Sequence, residues 1–459
     1  IMKLDPQARL ANRTIIVGAG MAGLSAAITL AARGENVILL ESQPYTGGKM
    51  RELSCSLGGI DSGPTVFTMK YVFDDLFDKA GKDFEHSIGL QKVSTLARHA
   101  WDEAGSFDLH ASKEQSKDEV GQFFGKASAD GYDRFCADSA AVFNSLKDTF
   151  IGASRPSPLE LGSRIGLRNA RKLWQLQPFT SLMGKLSKYF PDPRLQQLFG
   201  RYATYVGSSP YQAPATLMLI AHVEQEGVWL IKGGMHKLAK TMQSLAEAMG
   251  ATVRNNEPVI KLLTDRNKVC GVITSQGEIL TAERVLYCGD ISALDEEFLD
   301  INNHRPRAVP PEERSLSAIT WSMEATSAGF PLHQHNVFFS DDYEEEFTSI
   351  FDRGYAPIRP TVYVCAQDRG DDIAPTPDRE RLMCLVNSPA NGDTNRLDER
   401  ELEQCQQNMI ASLSKCGLTI KPHQQIITQP ADFANLFPGS GGALYGRASH
   451  GWMASFKRA

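Results

Sequence analysis

Along the chain, the pattern of apolar and polar positions changes character three times. Residues 13–42 read as strand, turn, helix, strand. Thr14-Ile15-Ile16-Val17 is a short β-branched run suited to a strand buried on both faces, and Leu24, Ala27, Ile28 and Ala31 follow at helical spacing. Gly34 closes the helix, and residues 36–40 form the next apolar strand. Residues 76–224 are different, being richer in helical patterns, aromatics and punctuating prolines. A second clean helix begins at Gly233-Gly234, with Met235, Leu238, Ala239, Met242, Leu245, Ala246 and Met249 on one stripe that reads as core packing. Strands at 259–263 and 269–273 flank a polar turn, another strand follows at 285–288, and residues 301–430 return to mixed α and β. This alternation predicts two interleaved domains rather than two in tandem.

Composition narrows the function classes. The 459 residues suit two or three domains, and 42% hydrophobic with 22% charged residues excludes a disordered, collagen-like or disulfide-scaffold chain. No stretch approaches the roughly 20 apolar residues that span a bilayer. The longest candidate, 215–223, contains His222. The balance of 48 basic and 54 acidic residues, a net charge of -6, argues against a general nucleic-acid binder. That average hides one stretch. Arg155, Arg164, Arg168, Arg171, Lys172, Lys185, Lys188, Arg194 and Arg201 face only Glu160 and Asp192 between residues 155 and 201, interleaved with Leu173, Trp174, Leu176, Phe179, Leu182 and Met183. It reads either as a solvated basic helix face or as a surface that docks on anionic lipid. Eight cysteines without a C-x-x-C pair suit reduced thiols in a cytosolic protein, and residues 2–12 are too polar for a secretory signal. His333-Gln334-His335 lacks a third ligand at a plausible spacing, so no metal is expected.

Gly18-Ala19-Gly20-Met21-Ala22-Gly23 is a G-x-G-x-x-G that follows a strand, opens a helix and precedes Glu41 at the end of the second strand. The first glycine serves the tight turn, the second the approach of backbone to a pyrophosphate, and the third the packing of helix on sheet. The helix N-terminus offers unpaired N–H groups and partial positive charge. Glu41 can accept hydrogen bonds from ribose hydroxyls and would repel a 2′-phosphate, which disfavours NADP.

Glu41 is followed by Gly47-Gly48-Lys49-Met50, an E-x5-G-G-[RK] arrangement, and then by Asp61-Ser62-Gly63-Pro64-Thr65-Val66. The first is similar to the extended signature of FAD proteins of the amine oxidase and phytoene desaturase superfamily. The second resembles its carotenoid desaturase branch. Arg201 to Gly207, Ser209-Pro210-Tyr211, Gly233 to Leu238, His335 to Ser340 and Thr361 to Arg369 extend the likeness, and the nearest subgroup is that of the hydroxyneurosporene (methoxyneurosporene) desaturases. The resemblance runs from about residue 13 to 456. It implies an α/β fold: a Rossmann-like FAD-binding domain from 12–75, 225–300 and 431–459, interleaved with an α+β substrate domain from 76–224 and 301–430. In the family, the segment after the double glycine lies along the flavin side of the cofactor. The implied cofactor set is Gly18, Gly20, Met21, Ala22, Gly23, Glu41, Ser42, Gly48, Lys49, Met50, Gly63, Pro64, Thr65 and Val259. Val259 reads equally well as a core strand residue.

The implied reaction is FAD-dependent removal of two hydrogens from a 1-hydroxylated acyclic carotenoid, giving a 3,4 double bond, in a bacterial cytoplasmic protein that touches the membrane peripherally. The flavin carries the hard step, so strong general-base machinery is not required. Asp61, Asp138 and Tyr205 could assist proton loss, and nothing in the sequence selects among them or names a catalytic residue. A redox-neutral polyene isomerase and a flavin-free isoprenoid escort protein share the fold; the intact glycine turn and Glu41 argue against the latter. In the superfamily a motif of the form L-[YF]-x-[AC]-G follows the segment equivalent to Gly441 to Trp452, and the sequence ends at Ala459 before it; either half of a flavin pocket lies outside this sequence, which is the expectation, or the protein lacks it, which would favour the escort reading.

Overall fold

A computed structural model describes residues 13–102, 105–152, 180–266, 268–294, 308–371 and 378–451. Its first layer is a four-stranded parallel sheet, ordered Arg284–Tyr287, Arg13–Val17, Asn36–Leu40, Thr252–Arg254. Sequence dictates which strands are central. Ile15, Ile16, Val37 and Leu39 are wholly buried, as a parallel sheet covered on both faces requires. The helices Met21–Ala31 and His236–Ala248 supply one cover through Leu24, Ala27, Ile28, Leu238, Ala239 and Met242, so the methionine-rich stripe is core. The other face carries the antiparallel strands Val259–Asp265, Lys268–Thr274 and Ile279–Thr281, with Leu262, Val272 and Leu280 packed on Ile15 and Leu40.

The second layer is a seven-stranded sheet ordered Thr419–Thr428, Ser317–Ala328, Glu380–Ser388, Val362–Ala366, His335–Phe338, Thr95–Ala100, Phe107–His110. All its pairings are antiparallel except that of His335–Phe338 with Thr95–Ala100. Strand alternation splits its side chains between two environments. The outer face packs Trp321, Met323, Leu382, Cys384 and Val364 against Met409 and Leu413 of the helix Glu399–Lys415. The inner face carries Ser322, Met383, Cys365, Tyr363 and His335 and meets residues 60–65 of the first layer. Helices from residues 113–146 and 182–226 close the end of this sheet around an aromatic core that includes Phe135, Phe190, Phe199 and Tyr202.

The passages between layers are themselves structured. Leu90–Lys92 pairs with Trp229–Ile231, so the chain leaves and re-enters the first layer side by side. Phe77, Phe84 and Ile88 pack in the same core as Leu24 and Met242, so that core extends past residue 75. Among the described residues no helix is long and apolar enough to cross a membrane. Most of the basic stretch 155–201, including Arg155 to Phe179, lies outside the described residues.

Candidate flavin site

The glycine turn is shaped by steric necessity. Gly18 holds φ +97°, a left-handed conformation that favours glycine, and its N–H donates to the Leu40 carbonyl at 2.8 Å. A Cβ on Gly23 would stand 1.9 Å from the Gly18 carbonyl oxygen, so helix and turn approach this closely only because Gly23 has no side chain. Gly20 differs. A Cβ there would meet nothing nearer than the Gly48 Cα at 3.9 Å, and the helix that begins at Met21 has neither a capping side chain nor an acidic residue in its first turn. The N–H groups at Met21, Ala22 and Gly23 belong to the first turn, where a helix leaves its N–H groups without intrahelical acceptors, the arrangement that receives a phosphate.

Glu41 lies beside this turn, 6% exposed. Its Oε2 accepts the Ala19 N–H at 2.7 Å, and its Oε1 accepts the Gln43 N–H at 2.9 Å and the Ser42 hydroxyl at 3.1 Å. The carboxylate is held by neutral donors and keeps lone pairs free for further hydroxyls. Residues 254–257 run alongside, with Glu41 N–H donating to the Arg254 carbonyl at 2.9 Å and Glu257 N–H to the Glu41 carbonyl at 2.8 Å. Val259 follows two residues later, half-buried against the core around Val17 and Leu40.

The double glycine is stacked on the turn. Gly47 (φ +119°) donates to the Ala19 carbonyl at 2.8 Å, and a Cβ on Gly48 would reach 3.1 Å from the Gly20 Cα. Gly63 in turn packs on this stretch, since its Cβ would lie 1.9 Å from the Lys49 carbonyl oxygen. Pro64 and Thr65 continue from there, the Thr65 hydroxyl reaching the Tyr363 hydroxyl at 2.7 Å. Met50 is buried, and its carbonyl meets His236 Nδ1 at 2.8 Å. The Lys49 ammonium donates to the Leu444 and Ala443 carbonyls at 2.6 and 3.3 Å and lies 5.4 Å from the Phe437 ring. Burial pushes its pKa down, against the pull of Asp290. Lys49 thus ties the double glycine to residues 437–444.

The three residues raised for proton loss are separated by the fold. Asp61 accepts the Met235 and His236 N–H groups at 2.7 and 3.2 Å, capping the helix His236–Ala248. Burial pushes its carboxyl up and those two donors draw it back. Asp138 takes the Tyr189 hydroxyl, and the Tyr205 hydroxyl lies between Arg201 and Glu224.

Comparison with known proteins settles the family. The model of the flavin containing amine oxidoreductases matches residues 21–429. The chain belongs to this family. The hydroxyneurosporene desaturase of Rubrivivax gelatinosus is 45% identical over 98% of this chain and 86% of that protein. That of Cereibacter sphaeroides is 38% identical over 98% and 90%. The 1-hydroxycarotenoid 3,4-desaturase of a Flavobacterium is 30% identical over 97% and 91%. Among solved structures, a putrescine oxidase variant has a TM-score of 0.58 at 14% identity, covering 97% of this chain and 89% of that one. Rab GDI from Plasmodium falciparum has a TM-score of 0.52 at 12% identity, covering 92% and 91%. Both likenesses concern the fold alone.

The residues fit this family's flavin: an uncapped helix N-terminus over a side-chain-free glycine, with a buried carboxylate beside it. The surroundings of this site also include residues that the sequence did not single out. Arg51 is buried, donates to the Thr428 hydroxyl at 2.9 Å and stacks 5.3 Å from the Phe433 ring; its place two residues after Lys49 was the available signal. Gly439 packs against the Ala293 backbone as closely as Gly442, of the segment already singled out, packs against the Pro430 carbonyl, at distances no Cβ permits. His335 and Tyr363 stand in two segments that carry the family likeness, but nothing in the sequence joined them to each other or to Thr65, and Glu224 carried no signal beyond being a polar group in an apolar run.

Proposed function

We propose that the protein binds FAD and removes two hydrogens from an acyclic 1-hydroxylated carotenoid, adding one conjugated double bond at the 3,4 position in carotenoid biosynthesis. The observation that carries this reading is the 45% identity to a hydroxyneurosporene desaturase, sustained over 98% of the chain. The glycine turn and Glu41 support FAD over a mononucleotide, because the carboxylate beside the phosphate-binding turn suits the ribose of an adenosine half.

In this reading Met21, Ala22 and Gly23 offer N–H groups to the pyrophosphate, and Glu41, with Ser42 and Val259 near it, borders the adenosine half. Gly48, Lys49, Met50, Gly63, Pro64 and Thr65 border the other half. The bound flavin supplies the hydride acceptor. The chain's own work is to hold the polyene against it and exclude water, for which an inner sheet face buried under residues 60–66 is suited. Residues 12–75, 225–300 and 431–459 serve the cofactor, and 76–224 and 301–430 the substrate. The basic stretch 155–201 supports peripheral contact with anionic lipid, from which a hydrocarbon substrate would be taken up. Liposome flotation at low salt tests that contact, and a protein remaining in the soluble fraction refutes it.

The deciding experiment is an absorption spectrum of the purified protein followed by product analysis with a 1-hydroxylated acyclic carotenoid. A flavin spectrum and a product absorbing at longer wavelength are expected. An unchanged chromophore length means isomerisation, and a colourless protein that FAD does not reconstitute means a binding protein. Either result overturns the desaturase reading.

A further inference from the structure

The inner face of the seven-stranded sheet should be apolar if its task were only to shelter a hydrocarbon. Around Tyr363 it largely is: Val337, Cys365, Leu385, Met383 and the adjacent Val66 are its neighbours. Into this surface three polar groups are set in a line. The Thr65 hydroxyl meets the Tyr363 hydroxyl at 2.7 Å, and that hydroxyl meets His335 Nδ1 at 2.7 Å. The register makes the second contact possible, since Val337 pairs with Tyr363 and Cys365 with His335, so His335 and Tyr363 are diagonal neighbours on one face. The line then stops. His335 is 2% exposed, and its Nε2 has no hydrogen-bond partner among the described residues. A buried polar atom left unpaired costs about 1–3 kcal/mol, which calls for an occupant. Burial lowers the imidazole pKa to about 3, so the ring is neutral and offers one donor and one acceptor, as hydroxyl recognition requires.

The position of this line relative to the cofactor follows from the backbone contacts. The pyrophosphate belongs at Gly20 and the adenosine half beside Glu41. The opposite half must therefore run over Gly48, stacked on Gly20, toward Gly63, stacked on Lys49, and so toward Thr65. In a 1-hydroxylated chain desaturated at the 3,4 bond, the hydroxyl oxygen is only three bonds from the nearer reacting carbon. A group that recognises it must stand next to the reacting edge of the flavin.

We infer that Thr65, Tyr363 and His335 form the subsite that recognises the substrate's terminal hydroxyl and sets the reacting bond against the flavin. The inference rests on the desaturase reading and specifies what selects the substrate. Tyr363 and His335 determine specificity, because a site built to hydrogen-bond a hydroxyl penalises the analogue that lacks it by leaving its own polar groups unpaired.

The test compares kcat/KM for a 1-hydroxylated acyclic carotenoid and for the same polyene without the hydroxyl, using flavin-loaded full-length protein. Wild type is expected to favour the hydroxylated substrate by more than about tenfold, and Tyr363→Phe and His335→Gln to lower that ratio at least about tenfold. A role confined to packing would reduce both substrates alike. Equal turnover of the two substrates by wild type, or an unchanged ratio in the variants, overturns the inference while the desaturase reading stands. Wild-type protein that desaturates neither substrate overturns both. If a variant fails to hold flavin, the other variant and the wild-type ratio still decide.

Discussion

The glycine turn and the inner face of the large sheet lie a few residues apart at Gly63 and Thr65, yet they are built on opposite principles. The turn is made of backbone. Gly18, Gly20, Gly23, Gly47, Gly48 and Gly63 bring main chain against main chain, and its chemistry comes from N–H groups and one carboxylate. The inner sheet face and its flank are made of side chains. Arg201 and Glu224 are 7% and 4% exposed and are joined through the Tyr205 hydroxyl, the Tyr202 hydroxyl also donating to Glu224, and Tyr363 and His335 stand among aliphatic neighbours. The first region should therefore be intolerant of volume and the second of lost polarity.

The comparison breaks or sharpens under four substitutions. Gly23→Ala should have the largest effect, because its Cβ would stand 1.9 Å from a backbone oxygen that cannot yield without moving the turn. The expected outcome is complete loss of co-purifying flavin, read as the ratio of visible to protein absorbance; normal flavin content would mean that volume is not what the turn guards. Glu224→Leu preserves bulk but strands the buried Arg201, and should cost about 3–5 kcal/mol in chemical denaturation. A loss near zero would mean that charge pairing does not hold this flank.

Glu41→Ala comes third. Charge-assisted hydrogen bonds to ribose contribute about 1.5–3 kcal/mol, so FAD affinity should fall by roughly one to two orders of magnitude with the fold intact. An unchanged dissociation constant in a titration refutes the ribose role. The smallest effect concerns pH. His450 Nε2 accepts the Ser209 N–H at 3.0 Å, which requires a neutral ring, and burial lowers its pKa to about 4. Between the ordinary value of 6.5 and about 4 the unfolded chain binds the proton that the folded chain refuses, so stability falls as pH drops through that window. His450→Gln should lessen that slope, to which the buried His335 also contributes, and an identical pH profile by thermal melting would place the titrating group elsewhere.

The same contrast explains what could be read from the sequence. Strand, turn and helix at 13–40, the helix that starts near Gly234 and the hairpin after Val259 all rest on short-range periodicity, and the observed elements lie within a residue or two of the pattern. The glycine spacing could be read because backbone chemistry restricts which residue is tolerated. The side-chain sites could not. Thr65 and Tyr363 are 298 positions apart, and Asp61 caps a helix 174 positions away. Only the packing of one layer on the other and of strand on helix brings such pairs together, and no local pattern encodes it. Asp61 illustrates the cost: as a carboxylate in a motif it suggested chemistry, whereas its hydrogen bonds show it holding a helix end.

The pairing of the strand Arg13–Val17 also has a consequence in time. Its partner on one side, Asn36–Leu40, leaves the ribosome almost at once, but its partner on the other side, Arg284–Tyr287, comes about 270 residues later. At about 5–20 residues per second, synthesis leaves that edge open for roughly 15–50 s. During this interval an apolar, β-branched strand edge is free to pair with another nascent chain. Slowing translation before residue 284, or withholding chaperones, should therefore trap this protein as aggregate more readily than one whose central strands are contiguous in sequence.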